Sequence, residues 1–569
     1  MIFLKTLLVG INAKYIHTNL AIRYLYTLTS DQHKVDFKEF TIKDHDQNII
    51  SEILNTKPNV VGFSCYIWNI EKILSLILTL KKLEPSIIIL LGGPEVSYEP
   101  EFFLKQYPID FIISGEGEYA FKAFLNALNE NGSYEFIPQL HYRQNGEIKI
   151  SKNEYFIDFS QLPSPHRINR DLPNLDKRIQ YIESSRGCPY QCSYCLASLE
   201  KNVRQFDSSR VKEDIRFLMN HGAKVFKFLD RTFNMRKDFA LDIFQFIINE
   251  HQPGTVFQFE ITGELLDEAI INYLNTYAPP SLFRFEIGVQ STNDATNKLI
   301  LRKQNFQKLS HNIKLIQNGN KIDLHLDLIA GLPKEDYDSF RNTFNDVFKL
   351  KPHELQLGFL KMLRGTKIRN EAHLYNYQFS ETSPYEIISN DSITQEELNI
   401  IHLAEEILEK YYNSHRFDVT INYIIDYIYP NDYYDFFERF GIYWSQYYEN
   451  INYQLADLCT RLLEFIKLNH LDQVEIIESL LIYDYLKPQK TKPKIWYKSQ
   501  IDKHERHVIY QSTVQDGLIN VNLDVLYRYG LLEKLEFNPL NYKKESVYLL
   551  KLFEPNNKTI TIIEGNKGL

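Results

Sequence analysis

Residues 186–195 read Arg-Gly-Cys-Pro-Tyr-Gln-Cys-Ser-Tyr-Cys, and the organisation of the chain can be worked out from this short segment. It holds three of the five cysteines, Cys188, Cys192 and Cys195, with gaps of three and two residues between them. Three such thiols can bind zinc together with a fourth ligand. They also suit a [4Fe–4S] cluster in which one iron has no protein ligand and stays open to a small molecule. The unequal gaps favour the cluster.

The segment follows residues 180–184, the first of six predicted strands that alternate with helical patterns. The other strands are predicted at residues 224–229, 256–261, 282–289, 323–329 and 354–360. Apolar residues recur at helical spacing between them, as in residues 209–220 and 305–318. Six strand–helix repeats predict a partial (β/α)6 barrel of the TIM type, with its chemistry at the carboxyl ends of the strands. The cysteines would then lie over the mouth of this barrel.

Upstream of the barrel, a second alternation of strands and helices occupies residues 1–132. Its strands are predicted at residues 4–10, 35–40, 59–64, 86–91 and 110–114. Strands that are apolar throughout and separated by helices predict a doubly wound, flavodoxin-like parallel sheet covered on both faces. Ligands of such sheets bind beyond the carboxyl ends of the strands. Those ends carry Asn12, Ser64, Gly92, Gly93, Pro94, Gly115, Glu116 and Gly117.

The remaining segments are a linker and a third domain. Proline and glycine punctuate residues 133–178, where a polar hairpin is predicted around residues 144–147. Beyond residue 370 tyrosine and phenylalanine become dense and helical spacing dominates, which predicts a mostly helical domain over residues 370–569. The barrel domain is accordingly assigned to residues 179–369. Its tyrosines are expected to pack, rather than to line a substrate channel or stack on bases: Tyr423, Tyr427, Tyr433, Tyr434, Tyr447 and Tyr448.

Composition excludes several classes of protein. The 569 residues carry a formal net charge of −9, which argues against general nucleic-acid binding and against a polybasic membrane anchor. No segment reaches the roughly 18 uninterrupted apolar residues of a membrane helix. Lys5 interrupts the first apolar run, so this run is interpreted as a strand and not as a signal peptide. We expect a cytoplasmic protein without a membrane partner, in which Cys65 and Cys459 are buried apolar groups.

The pattern Cys-x3-Cys-x-aromatic-Cys, with Tyr194 as the aromatic residue, resembles the signature of the radical S-adenosylmethionine (SAM) superfamily. Residues 286–291 resemble its ribose-contacting segment, and residues 327–333 resemble the fifth-strand segment near adenine. The resemblance implies that the three cysteines hold a [4Fe–4S] cluster whose open iron binds SAM. An electron donor such as flavodoxin or ferredoxin would drive cleavage to a 5′-deoxyadenosyl radical. The SAM contacts that it implies are Tyr194, Glu286, Gln290, Ser291, Asp327, Gly331 and Pro333.

The second barrel strand departs from the superfamily pattern. Residues 230–234 read Asp-Arg-Thr-Phe-Asn, where the superfamily commonly has the Gly-Gly-Glu that contacts the SAM amino group. Asp230, Glu260, Glu286 and Arg302 are candidate substitutes, because an acid suits the ammonium group and a cation suits the carboxylate. Each of them could instead form an ordinary salt bridge at the end of the barrel.

An α/β domain placed before such a barrel resembles the cobalamin-binding arrangement, and the residues at its strand ends become the expected cobalamin contacts. The motif Asp-x-His-x-x-Gly, with which some cobalamin proteins ligate cobalt, does not occur in the sequence. His17 is the only histidine near the end of the first strand. Cobalamin without a protein imidazole on cobalt is therefore expected, which favours methyl transfer. A flavodoxin-like docking domain without cobalamin is the structural alternative.

Residues 12–17, 359–366 and 482–486 resemble a subgroup of cobalamin-binding radical SAM proteins that has its own C-terminal domain of unknown function. The function hypothesis is methylation of an unactivated carbon in an unidentified small molecule or biopolymer. A rearrangement, cyclisation or reduction that uses cobalamin without methyl transfer is the first alternative. A cobalamin or redox sensor without turnover is the second.

Overall fold

A computed structural model describes residues 4–130, 132–151, 157–448, 452–555 and 557–564. The chain divides into two compact units, Met1–Gln395 and Glu396–Leu569. Among the helices that the structure describes, none combines the length and apolar character that crossing a membrane requires.

The first sheet has seven strands in the order β2-β1-β3-β4-β5-β6-β7. These are β1 (Thr6–Asn12), β2 (Val35–Thr41), β3 (Val60–Ser64), β4 (Ile88–Gly92), β5 (Phe111–Ile113), β6 (Leu140–Gln144) and β7 (Glu147–Ile150). The first five strands are parallel, and β1 pairs with β2 on one side and with β3 on the other. The order of the strands therefore reverses at β1 and β3, and this switch point is where doubly wound sheets bind ligands.

Helices cover both faces of this sheet, as expected from the burial of every residue of β1 and β3. The helices are Leu20–Thr29, Asp46–Asn55, Ile70–Leu83, Pro94–Ser97, Pro100–Gln106 and Glu118–Glu130. Leu7, Val9 and Ile11 alternate into one apolar core, and Leu8 into the other. The doubly wound fold predicted from the sequence is confirmed.

The predicted linker contributes to the first sheet. Its hairpin forms as β6 and β7, and β6 pairs antiparallel with β5. The sequence predicted the hairpin but not this pairing, which satisfies the backbone groups that β5 would otherwise leave bare at the sheet edge. Residues 152–156 of the linker lie outside the described residues.

The second large sheet forms the partial barrel. In chain order the next strands are β8 (Ile179–Ile182), β9 (Ser185–Arg186), β10 (Arg204–Gln205), β11 (Val225–Phe228), β12 (Val256–Glu260), β13 (Phe283–Gln290), β14 (Ile322–Ala330) and β15 (Glu354–Phe359). Six of them form a parallel sheet in the order β15-β14-β13-β12-β11-β8, whereas β9 and β10 form a separate antiparallel pair. The principal helices are Ser208–Asn220, Lys237–Glu250, Glu268–Tyr277, Asp294–Leu299, Phe306–Gly319 and Tyr337–Phe348. The predicted (β/α)6 barrel is confirmed.

Residues just beyond the barrel are bonded to it. The short helix Lys367–Asn370 is followed by the paired strands β16 (Gln378–Phe379) and β17 (Ile387–Ser389). Tyr377 donates a hydrogen bond to the carbonyl of Gly331, and the amide of Ile387 donates to the carbonyl of Leu360. Residues 370–395, which the sequence assigned to the third domain, therefore belong to the first unit. Their hydrogen-bond donors pair with carbonyl groups just beyond the barrel strands.

The second unit is mostly helical, as predicted. Its α-helices are Gln395–Ile407, Asp418–Tyr423, Tyr433–Tyr447, Leu455–Asn469, Val474–Leu486, Lys503–Gln515 and Leu523–Tyr529, with π-helical turns at Leu408–Tyr412 and Ile424–Ile428. A small antiparallel sheet follows, formed by β18 (Gly530–Leu535), β19 (Val547–Leu552) and β20 (Ile560–Glu564). Tyr423 and Tyr434 are buried as expected, whereas Tyr427 and Tyr447 are exposed.

Candidate functional site

The three cysteines lie in a loop at the carboxyl end of β8, which we call the cluster loop (residues 187–203). The antiparallel pair of β9 and β10 closes its base. Gly187 has a φ of 92°, and a Cβ there would lie 2.4 Å from the carbonyl oxygen of Asn202, so only glycine fits this crossing. The amide of Ser193 donates to the carbonyl of Ile300, 2.9 Å away, and ties the loop to the barrel.

The thiols have the environment of buried ligands. Cys188 and Cys192 are each 8% exposed, and Cys195 is partly exposed. Over the described residues, no three His, Cys, Asp or Glu side chains are grouped as ligands of a single metal ion. A zinc ion would need its thiolates about 2.3 Å from one centre, whereas the thiolates of a [4Fe–4S] cluster bind different irons and stand further apart. Three partly or fully buried thiols on one loop would be able to bind different irons of such a cluster.

Tyr194, which belongs to the cluster loop, contacts Arg302. Arg302 donates from Nη1 to the Tyr194 hydroxyl over 3.2 Å, from Nε to Gln304 over 2.8 Å, and also to the carbonyl of Gly288. The structure thus brings the two predicted SAM contacts together. It also hydrogen-bonds the guanidinium of Arg302 to three neutral groups, which differ from the ordinary salt bridge considered as the alternative.

The carboxylate of Asp230, a predicted SAM contact, is hydrogen-bonded to neighbouring residues of the chain. It is 1% exposed and accepts hydrogen bonds from the amide and hydroxyl of Ser184 and from the hydroxyl of Ser185. Burial raises the pKa of Asp230 to about 6, although these hydrogen bonds oppose the shift. The carboxylate holds the end of β8 just before the cluster loop. These hydrogen bonds give Asp230 a structural role, and its contact with SAM stays a prediction.

Two other predicted SAM contacts are bonded within the barrel. Ser291 is fully buried, and its hydroxyl donates to Glu335. The carbonyl of Pro333 accepts a hydrogen bond from Thr296 over 3.1 Å. The buried Ser291 hydroxyl thus has a structural partner, and its contact with SAM stays a prediction.

Charged residues line the interior of the barrel, where TIM barrels usually have branched apolar residues. Glu286 accepts hydrogen bonds from Lys227 over 2.9 Å and from Gln258 over 2.6 Å. Burial would raise the pKa of Glu286, but Lys227 outweighs it and the pKa lies below its ordinary value. Burial raises the pKa of Glu260 to about 7, against the opposing effect of Arg231 3.4 Å away. Glu260 is thus less firmly paired with a cation than Glu286 is. It is therefore the better candidate to bind the ammonium group of SAM.

The ends of β13 and β14 carry the remaining predicted SAM contacts. Gln290 has a φ of 68°, and within the described residues its buried Oε1 has no hydrogen-bond partner. Gly331 has a φ of 88°. Asp327 lies 3.1 Å from Nε2 of His325, and burial raises the pKa of Asp327. A buried acceptor without a partner at the carboxyl end of a barrel strand fits a polar ligand such as SAM.

A cavity of about 800 Å³ lies between the carboxyl edge of the first sheet and the barrel, within the first unit. All the predicted cobalamin contacts line it: Asn12, Ser64, Gly92, Gly93, Pro94, Gly115, Glu116 and Gly117. The barrel contributes Tyr181 and Arg231, and the cluster loop contributes Leu196 and Ala197. The cavity therefore has one wall from each of the two predicted cofactor domains.

The glycine turns give the cavity a wall of bare backbone. A Cβ at Gly117 would have no heavy atom nearer than 3.9 Å, and one at Gly92 none nearer than 3.6 Å. The space that those side chains would occupy is therefore available to a large ligand, which fits cobalamin. Other contacts are already used by the protein, because Ser64 accepts from Asn19 over 2.7 Å and the Asn12 amide donates to Glu39 over 2.9 Å.

His17 lines the same cavity and belongs to the loop after β1. Its Nδ1 lies 2.7 Å from the Tyr181 hydroxyl, and the two rings are stacked. Burial, together with the charge of Lys14, lowers the pKa of His17, so the imidazole is neutral at pH 7. The hydrogen bond to Tyr181 gives this histidine a partner in the barrel.

Sequence reasoning missed several cavity residues. Tyr181, Glu183 and Arg186 come shortly before the first cysteine in the sequence, and Tyr66 and Trp68 come shortly after Ser64. All five residues line the cavity. Tyr66 and Trp68 stack with ring centroids 4.4 Å apart. Their nearness to a predicted strand end was the only available signal, since no pattern in one sequence pairs residues of different domains.

A doubly wound sheet with a glycine-lined cavity is followed by a partial barrel that carries three cysteines after its first strand. This is the arrangement of a cobalamin-binding radical SAM protein. Comparison with known families agrees with this class. Residues 6–125 match the B12 binding domain, residues 182–347 match the radical SAM superfamily, and residues 373–549 match a protein of unknown function (DUF4080). The chain is a B12-binding radical SAM protein with a C-terminal domain of unknown function.

Its curated relatives match part of the chain. An uncharacterized methyltransferase of Pyrococcus horikoshii, PH0819, is 28% identical over 236 residues, which are 39% of this chain and 51% of that protein. The cobalamin-dependent radical SAM methyltransferase TokK of Streptomyces tokunonensis is 24% identical over 318 residues, which are 52% of this chain and 46% of that protein. The chain thus spans about half the length of the curated relatives it matches.

Solved structures share the fold. The cobalamin-dependent SAM radical enzyme OxsB, solved with aqua-cobalamin, aligns with a TM-score of 0.60 at 13% identity and covers 92% of this chain and 82% of its own. The radical SAM methyltransferase TsrM of Kitasatospora setae, solved with cobalamin and a [4Fe-4S] cluster, aligns with a TM-score of 0.56 at 15% identity. That alignment covers 68% of this chain and 79% of TsrM.

Gly93→Ala is expected to weaken cobalamin binding at least tenfold, roughly 1.4 kcal/mol. Gly93 has a φ of 110°, and its Cβ would lie 2.5 Å from the carbonyl oxygen of Cys65, so the turn must move. Optical titration with aquacobalamin measures the dissociation constant. Gly146→Ala is the control, because Gly146 also has a positive φ, 80°, but no neighbour within 4 Å. Equal affinities of the two variants would contradict the prediction.

Proposed function

We propose that this protein methylates an unactivated carbon of a substrate, with SAM as the methyl donor. The observation that carries the proposal is the shared cavity, because residues of the cobalamin sheet, the cluster loop and the barrel line one space. The names of the relatives PH0819 and TokK, both methyltransferases, support the same reaction class. When bound, the cluster and SAM would supply a radical that opens a C–H bond, and cobalamin would supply a methyl carrier.

The residues of the chain would hold and orient these groups. Cys188, Cys192 and Cys195 would bind the cluster, and Gln290 and Glu260 would contact SAM through an amide oxygen and a carboxylate. Lys227 and Gln258 keep Glu286 charged and fixed in the barrel interior. The glycine turns at residues 92–93 and 115–117 would contact the corrin through their backbone. Together these groups would line up both cofactors with the substrate and exclude water from the radical.

The test begins with protein purified without oxygen and loaded with iron, sulfide and cobalamin. With SAM, a reductant such as flavodoxin or ferredoxin and no added substrate, we expect S-adenosylhomocysteine from methylation of reduced cobalamin. We also expect slow formation of 5′-deoxyadenosine. SAM labelled in its methyl group then reports transfer to compounds of a small-molecule extract or to extracted protein and RNA.

Each outcome separates the proposal from its alternatives. 5′-Deoxyadenosine without S-adenosylhomocysteine would contradict methyl transfer and favour a rearrangement, cyclisation or reduction. Cobalamin binding without either product would favour a sensor. Loading the protein without cobalamin is the control, because S-adenosylhomocysteine should then be absent while cleavage of SAM persists.

A further inference from the structure

Two arginines mark the two ends of the cluster loop. Arg186 lies in β9 just before the loop, and Arg204 lies in β10 just after it. The two residues are direct partners in the antiparallel pair, so their side chains start from the same point at the base of the loop. Any group that holds both arginines therefore holds both ends of the segment that carries the three cysteines.

Glu116, in the glycine turn of the first sheet, is that group. Its Oε1 accepts from Nη1 of Arg186 over 3.1 Å, and its Oε2 accepts from Nη1 of Arg204 over 3.0 Å. Arg204 Nη2 also donates to Oε1, so the contact with Arg204 is bidentate. The Glu116 side chain is 14% exposed, and this burial strengthens its ion pairs.

The surrounding groups strengthen this contact between the domains. Arg186 donates to Glu118 over 2.6 Å and to Glu183 over 2.8 Å. The guanidinium carbons of Arg186 and Arg204 lie 5.3 Å and 5.1 Å from the centre of the Phe159 ring. The network therefore has a fixed geometry, which an exposed ion pair would lack.

The same turn faces the cavity. Gly115, Glu116 and Gly117 all line it, so a corrin bound there would touch the turn. Gly115 has a φ of 66°, a left-handed backbone conformation that favours glycine. A displacement of the turn by a ligand would pass to Glu116 and from there to both ends of the cluster loop.

We propose that Glu116 is a positioning residue that couples cobalamin binding to the geometry of the cluster loop. The proposal rests on the two cofactors and not on the fate of the methyl group, so methyl transfer can fail without affecting it. Coupling of this kind is reciprocal: if cobalamin stabilises one arrangement of the loop, the assembled cluster must strengthen cobalamin binding by the same factor.

The experiment compares cobalamin affinity with and without the cluster. Aquacobalamin is titrated without oxygen into cluster-loaded and cluster-free full-length protein, and the ratio of the two dissociation constants is the coupling factor. We expect a factor of at least about five in the unsubstituted protein. Glu116→Gln removes the charge that both arginines share, and we expect its coupling factor to fall to about one.

Two further variants make the result decisive. Arg204→Gln breaks the same contact from the loop side and leaves the glycine turn intact, so it should lower the factor as well. Glu250→Gln is the control, because Glu250 forms a bidentate pair with Arg216 between two barrel helices, and neither residue lines the cavity. The Glu250 variant should show the same coupling factor as the unsubstituted protein.

The electron paramagnetic resonance spectrum of the reduced cluster gives a second readout. Cobalamin should change this spectrum in the unsubstituted protein and in the Glu250 variant, but not in the Glu116 variant. A coupling factor of one in the unsubstituted protein would overturn the proposal. So would an unchanged factor in both the Glu116 and Arg204 variants, or an equal loss in the Glu250 control.

Discussion

Replacing Cys188, Cys192 and Cys195 together by alanine is expected to reduce bound iron to background and to abolish cleavage of SAM. The three thiols are the ligands that the cluster loop offers, and SAM can bind the cluster only through an iron that the protein holds in place. Iron and sulfide analysis after anaerobic reconstitution measures the first effect. Formation of 5′-deoxyadenosine with a chemical reductant measures the second.

Cys459→Ala is the control for this prediction. Cys459 is fully buried in the second unit, and burial raises the pKa of its thiol, so it behaves as an apolar group. We expect this variant to keep its iron and its SAM cleavage, with at most a modest loss of stability. If the triple variant still cleaves SAM, the assignment of the cluster to these cysteines is wrong.

Asp230→Ala is expected to destabilise the first unit by about 3–5 kcal/mol. The substitution removes a fully buried carboxylate and leaves the amide and hydroxyl of Ser184 and the hydroxyl of Ser185 without their acceptor. Buried donors without a partner lose solvation that nothing replaces. The midpoint of urea unfolding, followed by circular dichroism, should fall clearly, and iron loading should fall with it because β8 ends at the cluster loop.

Asp267→Ala provides the comparison. Asp267 is the exposed N-cap of the helix Glu268–Tyr277 and accepts from the amide of Ala269 over 2.9 Å. Loss of such a cap costs about 1 kcal/mol. Similar unfolding midpoints for the two variants would show that Asp230 is not a structural anchor.

The secondary structure of both α/β domains could be predicted from the sequence because their strands are apolar and regularly separated by helices. The predicted strand at residues 256–261 is observed as β12 over Val256–Glu260, and the prediction at residues 35–40 as β2 over Val35–Thr41. The pairing of β6 with β5 could not be predicted. It depends on which sheet edge the hairpin meets in space, and that information is not local.

The residues of the two candidate cofactor sites could not be predicted equally well from the sequence. Glycine turns at parallel strand ends must lie at one sheet edge, so the cobalamin contacts could be predicted as a group, and all of them line the cavity. The SAM contacts were harder to predict individually. Asp230 and Gln290 both stand at strand ends, but one is enclosed by hydroxyl and amide donors and the other has a buried oxygen without a described partner.

The sequence by itself determined the two α/β domains, the cysteine motif and the residue types at the strand ends, because these depend on spacing and polarity along the chain. The tertiary structure decided which of those residues meet. Only the folded chain brings Glu116 against Arg186 and Arg204, residues separated by 70 and 88 positions, and thereby joins the cobalamin turn to the cluster loop. Such pairings depend on how the sheet and the barrel pack, which no local pattern encodes.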